Sequence, residues 1–261
     1  RTAISVPVAE TPESRNFKSC FNIDFHPSRY YNYICKFYII YLILSRQYMK
    51  IIKVDLSEEL KDIELHVFAD EHIGDENCDM PRLLERIEYV KNTPNAYCIL
   101  NGDILDNATK TSIGDSYAQV FNPMEQLKRA VILFGPIRDK ILCITHGNHE
   151  NRTYKKEGIN LSSLIATQLD LTDKYTPASA MIFLRFGKGS THFNRGRKIL
   201  YTIYSVHGSG GGRKEGAKAI RLADMASIID CDIYIHSHTH LPMIMKQGFL
   251  LTLLTRSMNL S

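Results

Sequence analysis

Histidine and acidic residues occur in five short polar blocks, each directly after an apolar run of the sequence. The last block, in "CDIYIHSHTHLP", places three of the ten histidines of the chain within five residues: His236, His238 and His240. Neutral imidazole is a frequent metal ligand in proteins, so this block could bind a metal ion. It could equally be a polar loop, or a strand whose histidines face water. The block alone leaves these interpretations open.

Four earlier blocks favour the metal site. They read "ADEHIGDE", "LNGDILDNATK", "THGNHENR" and "VHGSGGG". Ligands of open α/β sheets bind beyond the carboxyl ends of strands, so five strand ends can bring their polar side chains into one crevice. The candidate site residues are Asp70, His72, Asp103, Asp106, Asn148, His149, His207, His238 and His240.

The apolar runs before the blocks are rich in Ile, Val, Leu, Tyr and Cys, which is typical of strands. Strands are predicted at 63–69, 96–100, 141–145, 199–206 and 232–235. Amphipathic helices are predicted at 80–92, 122–135, 160–171 and 215–230. The first helix would place Leu83, Leu84, Ile87 and Val90 on one face, and the second would begin at Asn122 and stop at Gly135. This alternation predicts an α/β architecture with an at least partly parallel sheet, while residues 183–204 predict a hairpin with a long basic loop.

The ligand types indicate transition metals. Asp, Asn and His without Cys form a mixed set that suits Mn, Fe or Zn rather than Ca or structural Zn. Even seven ligands from this set would be too many for one ion, but they suit two ions with one carboxylate bridging. Two ions roughly 3.5–4 Å apart can hold a bridging hydroxide as nucleophile and clamp both oxygens of an in-line displacement at phosphorus.

The motifs D-x-H-x-G, G-D-x-x-D, G-N-H-E, H-G and H-x-H follow one another between about residues 63 and 242. In this order they resemble the calcineurin-like metallophosphoesterase family and, in a general way, its bacterial and prophage members. The resemblance implies a two-sheet β-sandwich flanked by helices and a centre of two divalent metal ions, with manganese favoured and iron or zinc as alternatives. It implies that one ion is bound by Asp70, His72, Asp103 and His240. It implies that the other is bound by Asp103, Asn148, His207 and His238.

The same resemblance implies roles for the remaining site residues. His149 would be the general acid that protonates the leaving oxygen, or a stabiliser of the charged phosphorane, and Asp106 would orient it by a hydrogen bond. Two positions depart from the family. Ser237 replaces the usual glycine of G-H-x-H, which is costly if the backbone requires positive φ. Asn107 stands where phosphoprotein phosphatases typically have Arg, which argues against a phosphoprotein substrate.

Basic residues precede and follow His207 in the sequence. Nine Lys or Arg and a single acidic residue lie between Arg185 and Arg221, which predicts a positive field around the site and a polyanionic substrate, DNA or RNA first. A solvated basic hairpin is the alternative. The candidate substrate-binding residues are Arg152, Arg213 and Lys214.

The predicted activity is therefore a metal-dependent phosphodiesterase that acts on a nucleic acid or nucleotide. The alternatives are a phosphomonoesterase or phosphoprotein phosphatase that uses the same ions, and a non-catalytic protein-binding scaffold. Retention of His149 and of all seven ligands argues against the scaffold.

Residues 1–48 differ in composition from the remainder. Their unbroken apolar part, 37–44, is far too short to span a bilayer, which takes about 20 residues, and it lacks the flanks of a signal peptide. We expect 1–48 to be an extension outside the catalytic fold and 49–261 to form the metallophosphoesterase domain. Family members generally continue with further strands after the last block, so we expect a truncated or altered C-terminus. Six cysteines without a CxxC pair predict a reducing, cytoplasmic location.

Overall fold

In a computed structural model of the chain, the described residues are 49–109, 119–189, 195–210, 215–240 and 244. The expected extension, 1–48, and most of the C-terminal tail lie outside them, as do Arg213 and Lys214.

The described residues form two four-stranded sheets. The strands are β1 (Met49–Asp55), β2 (Glu64–Phe68), β3 (Ala96–Asn101), β4 (Ile141–Thr145), β5 (Tyr175–Thr176), β6 (Ser179–Phe186), β7 (Ile199–Val206) and β8 (Ile233–His236). The helices are α1 (Met80–Asn92), α2 (Pro123–Phe134), α3 (Glu150–Glu157), α4 (Leu161–Gln168) and α5 (Glu215–Ile228).

The sheets differ in topology. Sheet B has the order β2-β3-β4-β5 and is parallel throughout. Sheet A has the order β1-β6-β7-β8 and is mixed, because β6 and β7 pair antiparallel while β1 and β8 join the two outer sides in parallel. The predicted hairpin is thus confirmed, with Phe183 opposite Thr202.

Two apolar cores hold the layers together. Between the sheets, Ile52 and Ile182 of sheet A pack with Ile99 and Leu142 of sheet B. The other face of sheet B is covered by α1, α2 and α4, which bury residues such as Leu83, Leu127 and Ile165. Helix α5 contacts β8 of sheet A. The predicted fold class, a two-sheet sandwich with flanking helices, is confirmed.

The helix signals of the sequence are mostly realised. Asn122 caps α2 in a capping box with Glu125, and a proline follows in the first turn, where its missing N–H is not needed. Gly135 ends α2, but in a right-handed helical conformation that continues into a 3-10 helix over Gly135–Lys140. The prediction that Leu84 shares the buried face of α1 is wrong, because its side chain is 49% exposed. Adjacent helical positions diverge by about 100°, so Leu84 lies to one side of the buried stripe that Leu83, Ile87 and Val90 form.

Two strands were absent from the sequence prediction, β1 and β5. In the run "MKIIKVD" of β1, lysines interrupt the apolar residues, so the run lacks the continuous apolar character of its neighbours. Ile51 and Lys53 are exposed in the structure. Across the described parts of the chain, no helix is long and apolar enough to cross a membrane.

The five strands that precede the polar blocks end at one edge of the sandwich: β2, β3, β4, β7 and β8. The carboxyl ends of β7 and β8 lie at the same end of sheet A, since these strands are parallel. The carboxyl end of β6 lies at the opposite end, because β6 pairs antiparallel with β7. Strand β7 spans eight residues, so at roughly 3.3 Å per residue these two ends are about 23 Å apart.

Candidate metal centre

The structure brings the predicted site residues together at one edge of the sandwich. Asp70 and His72 follow β2, Asp103 and Asp106 follow β3, and Asn148 and His149 follow β4. The remaining histidines come from sheet A. His207 follows β7, and His238 and His240 follow β8, whereas His236 is the last residue of that strand, as expected.

The loops that carry these residues have unusual backbone conformations. Among the described non-glycine residues with positive φ, all but Asp170 lie here: Asp70, His72, Asp103, Asn107, His238 and His240. Such conformations cost roughly 1–3 kcal/mol each and concentrate at functional sites. Ser237 is not among them, so the expected penalty for replacing the family's glycine does not arise.

Asp70 and Asp103 each use one carboxylate oxygen to connect two of these loops and leave the other oxygen free. Asp103 Oδ1 accepts a 2.8 Å hydrogen bond from the backbone N–H of His149. Asp70 Oδ2 accepts one of 3.0 Å from the backbone N–H of His238. Asp70 Oδ1 and Asp103 Oδ2, the opposite oxygens, are buried and make no hydrogen bond within the described structure. His238 Nδ1 is likewise buried without a partner there.

The imidazole of His207 faces these free oxygens with Nε2. Its Nδ1 lies 2.8 Å from the backbone oxygen of Asn101, which only accepts hydrogen bonds, so Nδ1 carries a proton. Nε2 lies 3.0 Å from Asn148 Oδ1 and 3.1 Å from Asp103 Oδ2. Burial lowers the pKa of His207, but the adjacent Asp103 outweighs burial and raises it, so a second proton on Nε2 can face these oxygens when no metal is bound. In the neutral ring Nε2 is an acceptor, and a cation among these three acceptors would satisfy all of them.

The ligand atoms fall into groups of the size that metal ions require. Within each group, the candidate atoms lie within 4.8 Å of one another. One group contains Asp70, His72 and His240, a second contains Asp103, His207 and His238, and a third contains His72, Asp103 and His149. Asp103 therefore lies where it could serve two ions, as the resemblance implies. The donor set fits two divalent ions.

Charges and protonation suit the same purpose. Burial lowers the pKa of His72 to about 4, and it also lowers the pKa of His238, so both rings are neutral near pH 7, the form in which imidazole can bind a metal ion. Burial opposes ionisation of Asp103, but the adjacent His207 outweighs it and lowers the pKa of Asp103 to about 2. Burial raises the pKa of Asp70, an effect that a bound cation would reverse.

His149 contacts Asp106 as expected, though mainly through the backbone. Its Nδ1 donates to the backbone oxygen of Asp106 at 2.6 Å and lies 3.3 Å from the carboxylate Oδ1. Burial lowers the pKa of His149, but the contact with Asp106 outweighs burial, and the pKa lies above its usual value. Arg152 reaches the other ring nitrogen, with Nη2 2.8 Å from Nε2.

Sequence reasoning assigned no role to Glu150, the fourth residue of G-N-H-E. Its carboxylate is fully buried and accepts hydrogen bonds from the backbone N–H groups of Asp103, Leu105 and Gly147 at 3.1, 2.9 and 3.2 Å. Burial raises its pKa to about 6. The motif itself was the available signal, because an acidic residue at the start of a helix can bond to nearby backbone donors.

Asn107 was noted only as a departure from the family, yet it is also structural. It is fully buried and donates to the backbone oxygen of His149 at 2.7 Å. Its Oδ1 accepts from Thr153 Oγ1 at 2.8 Å. Asn107 therefore ties the loop after β3 to helix α3.

The expected positive field around the site does not come from the β6–β7 hairpin. Arg185 and Lys198 lie at the end of sheet A opposite His207 and pair with Asp55. Lys188 pairs with Glu58 at 3.2 Å. This part of the prediction is wrong, because an antiparallel strand carries the hairpin away from the residues that follow it in sequence.

Comparison with known proteins identifies the family to which this chain belongs. A search of curated proteins found no match. The family model described as calcineurin-like phosphoesterase matches residues 64–242, which is more than half of the chain and contains every residue of the two ligand sets. The chain belongs to the calcineurin-like phosphoesterase family, whose members are generally metal-dependent hydrolases of phosphate esters.

Proposed function

We propose that this protein is a phosphodiesterase that uses two divalent transition-metal ions, with manganese favoured, and acts on nucleotide-type diesters. The proposal rests above all on one observation: buried polar atoms of Asp70, Asp103 and His238 make no hydrogen bond within the described residues, and all three residues belong to groups that could hold a metal ion. The proposed ligands are Asp70, His72, Asp103, Asn148, His207, His238 and His240. The catalytic domain would comprise residues 49–261.

Divalent ions at such a site, when bound, act as Lewis acids on phosphate oxygens and lower the pKa of water. The role of the side chains is to hold them. Asp70 and Asp103 each use one oxygen to fix a neighbouring loop, so the free oxygen has a defined direction. His207 is oriented in the same way by its bond to Asn101, as is usual for ligating histidines.

His149 would protonate the leaving oxygen through Nε2. In the structure this atom accepts from Arg152, which requires a neutral ring. Protonation of Nε2 ends that hydrogen bond and frees Nη2, which could then bind a phosphate oxygen, while Nη1 keeps its 3.1 Å hydrogen bond to the backbone oxygen of Asp106. A raised pKa keeps part of the population protonated near neutral pH, which an alkoxide leaving group needs.

A phosphomonoesterase is the alternative, and Arg152 is the residue that favours it. A monoester has three non-ester oxygens and a diester has two, so two ions leave one oxygen of a monoester for an additional cation. Long nucleic acids are less favoured as substrates than the sequence suggested, because the described hairpin cations lie far from the site. Arg213 and Lys214 remain proposed substrate contacts.

The test is a comparison of substrates for Mn²⁺-loaded protein: bis-p-nitrophenyl phosphate, p-nitrophenyl phosphate and single-stranded DNA. We expect a higher kcat/KM for the diester than for the monoester, loss of activity with a chelator, and recovery on addition of Mn²⁺. His66→Ala is a suitable control, because the His66 ring contacts Tyr89 at a tilted angle and belongs to none of the candidate ligand groups. Preference for the monoester would establish the alternative, and metal binding without hydrolysis of any ester would indicate a scaffold.

A further inference from the structure

Asn101, the last residue of β3, is fully buried and uses its entire side-chain amide in hydrogen bonds. Its Nδ2 donates to the backbone oxygen of Val206 at 2.9 Å and to Ser237 Oγ at 2.7 Å. Its Oδ1 accepts from Thr145 Oγ1 at 2.8 Å and from Ser205 Oγ at 2.9 Å. An asparagine amide offers two donors and two lone pairs, so all four are satisfied.

These partners belong to different sheets. Thr145 ends β4 in sheet B, whereas Ser205 and Val206 end β7, and Ser237 follows β8, in sheet A. The neighbouring core between the sheets is apolar and tolerates small shifts, because dispersion contacts are not directional. A fully satisfied buried polar network is directional and specifies one arrangement. Asn101 therefore fixes the position of the two sheets relative to each other at the edge that carries the site.

The network also lies directly beneath one ligand set. The backbone oxygen of Asn101 accepts from His207 Nδ1 at 2.8 Å. Ser237 precedes His238, and its backbone N–H donates to the backbone oxygen of His207 at 3.0 Å. Asn101 itself precedes Asp103 by two positions. The other set shares Asp103 with the first, and its remaining members, Asp70, His72 and His240, receive no hydrogen bond from the Asn101 side chain, whose four bonds are accounted for.

We propose that Asn101 is a positioning residue for one of the two metal ions, and that Ser237 is its dedicated partner. Together they hold His207 and His238 of sheet A at the separation from Asp103 and Asn148 of sheet B that one ion requires. Ser237 accepts the hydrogen bond from Asn101 through its hydroxyl oxygen, which a glycine at the same position would not have. The inference rests on the proposed function, because it concerns the same ions.

The decisive measurement is Mn²⁺ binding by titration calorimetry on the full chain, together with thermal unfolding of the metal-free protein. Asn101→Ala and Ser237→Gly should each weaken one of the two binding events by roughly 10–100-fold, the usual effect of losing a residue that orients a ligand. The other event should change by less than about threefold. The double variant should lose little more than Asn101→Ala alone, since both substitutions remove the same hydrogen bond.

Thr176→Val is the matched control. Thr176 is also a buried hydroxyl near the sheet junction, and it donates to the backbone oxygen of Ser179 at 3.0 Å, but it touches no proposed ligand. It should lower the unfolding temperature and leave both binding events unchanged. Ser237→Gly removes only a hydroxymethyl group, so the test stands even if Asn101→Ala fails to fold.

The outcomes separate the two proposals. Wild-type protein that binds two Mn²⁺ ions while Ser237→Gly binds both with wild-type affinity would overturn the positioning role and leave the proposed function intact. The positioning role would also be overturned if the variants bound both Mn²⁺ ions equally weakly and if the loss of affinity followed the loss of thermal stability, as a general destabilisation of the fold would produce. Wild-type protein that is folded and binds no Mn²⁺ would overturn both.

Discussion

The two ends of the sandwich both carry aspartates, but in opposite states of pairing. At the hairpin end, Asp55 is matched by Arg185 and Lys198, and every one of these side chains is at least a quarter exposed. At the metal-centre end, the free oxygens of Asp70 and Asp103 are buried and have no Lys or Arg partner among the described residues. The first arrangement is complete by itself, and the second has the ligand atoms that a cation would complete.

The backbone differs in the same sense. The hairpin places glycines, Gly187 and Gly196, at its positive φ angles of 63° and 73°. The metal-centre loops place Asp70, Asp103 and His238 at φ angles of 57°, 50° and 69°. Glycine adopts this conformation without strain, so its absence from these positions indicates that the side chains are needed there. Unpaired charge on a strained backbone distinguishes a functional cluster from a solvated one.

The largest expected effect follows substitution of the shared carboxylate. Asp103→Asn replaces the carboxylate proposed to serve both ions by a neutral amide, so Mn²⁺ affinity should fall by at least roughly 10²-fold, and bound metal should drop well below two ions per chain. The metal-free variant should unfold at a lower temperature than the metal-free wild type near pH 7, because the lowered pKa of Asp103 means that its ionised form stabilises the fold. Relief of the repulsion between Asp103 and Glu150 offsets part of that loss. Elemental analysis after Mn²⁺ loading and desalting measures the loss.

Asp55→Asn at the other end of the sheet is the matched control, since it also removes one carboxylate charge. It should leave metal content unchanged. Retention of two ions by Asp103→Asn would remove the distinction between the two ends.

The second effect concerns His149. His149→Ala should keep metal content near wild type and lower turnover by roughly 10²–10⁴-fold. The loss should be smaller for p-nitrophenyl esters, whose leaving group needs little protonation. Because the pKa of His149 is raised, wild-type activity should fall as pH rises through that pKa, and this alkaline limb should disappear in the variant. Equal losses for good and poor leaving groups would identify His149 as a stabiliser of the phosphorane instead.

The smallest effect is expected at the hairpin. Arg195 and Arg197 are exposed, and replacing both by Ala should leave diester hydrolysis within about twofold of wild type. The dependence of single-stranded DNA binding on salt should also keep its slope, to which each phosphate contact contributes about −0.7.

Replacing Arg213 and Lys214 by Ala should instead flatten that slope by about one unit. The opposite result, a flatter slope for the hairpin variant alone, would show that the paired end of the sheet binds nucleic acid.

The sequence predicted features whose signals are local. Asn122 and the proline after it predicted the start of α2, and the motif blocks predicted which side chains would meet, because each block follows its own strand. The sequence-based predictions failed where the position of a side chain depends on segments that are distant in the sequence. Arg195 is twelve positions from His207 in the chain, yet β7 separates them by about 23 Å. The roles of Glu150 and Asn101 were also missed, since most of their partners lie more than 40 positions away.

The order of the strands along the chain has a consequence for biosynthesis. Sheet B is made from one continuous stretch that ends at Thr176, whereas sheet A needs β1 at its beginning and β8 near residue 236. A chain that leaves the ribosome at roughly 5–20 residues per second can therefore complete sheet B, with its carboxylates Asp70 and Asp103, seconds before His240 has been added. The acidic half of the candidate metal centre is made first, and the histidines of sheet A arrive last: His207, His238 and His240.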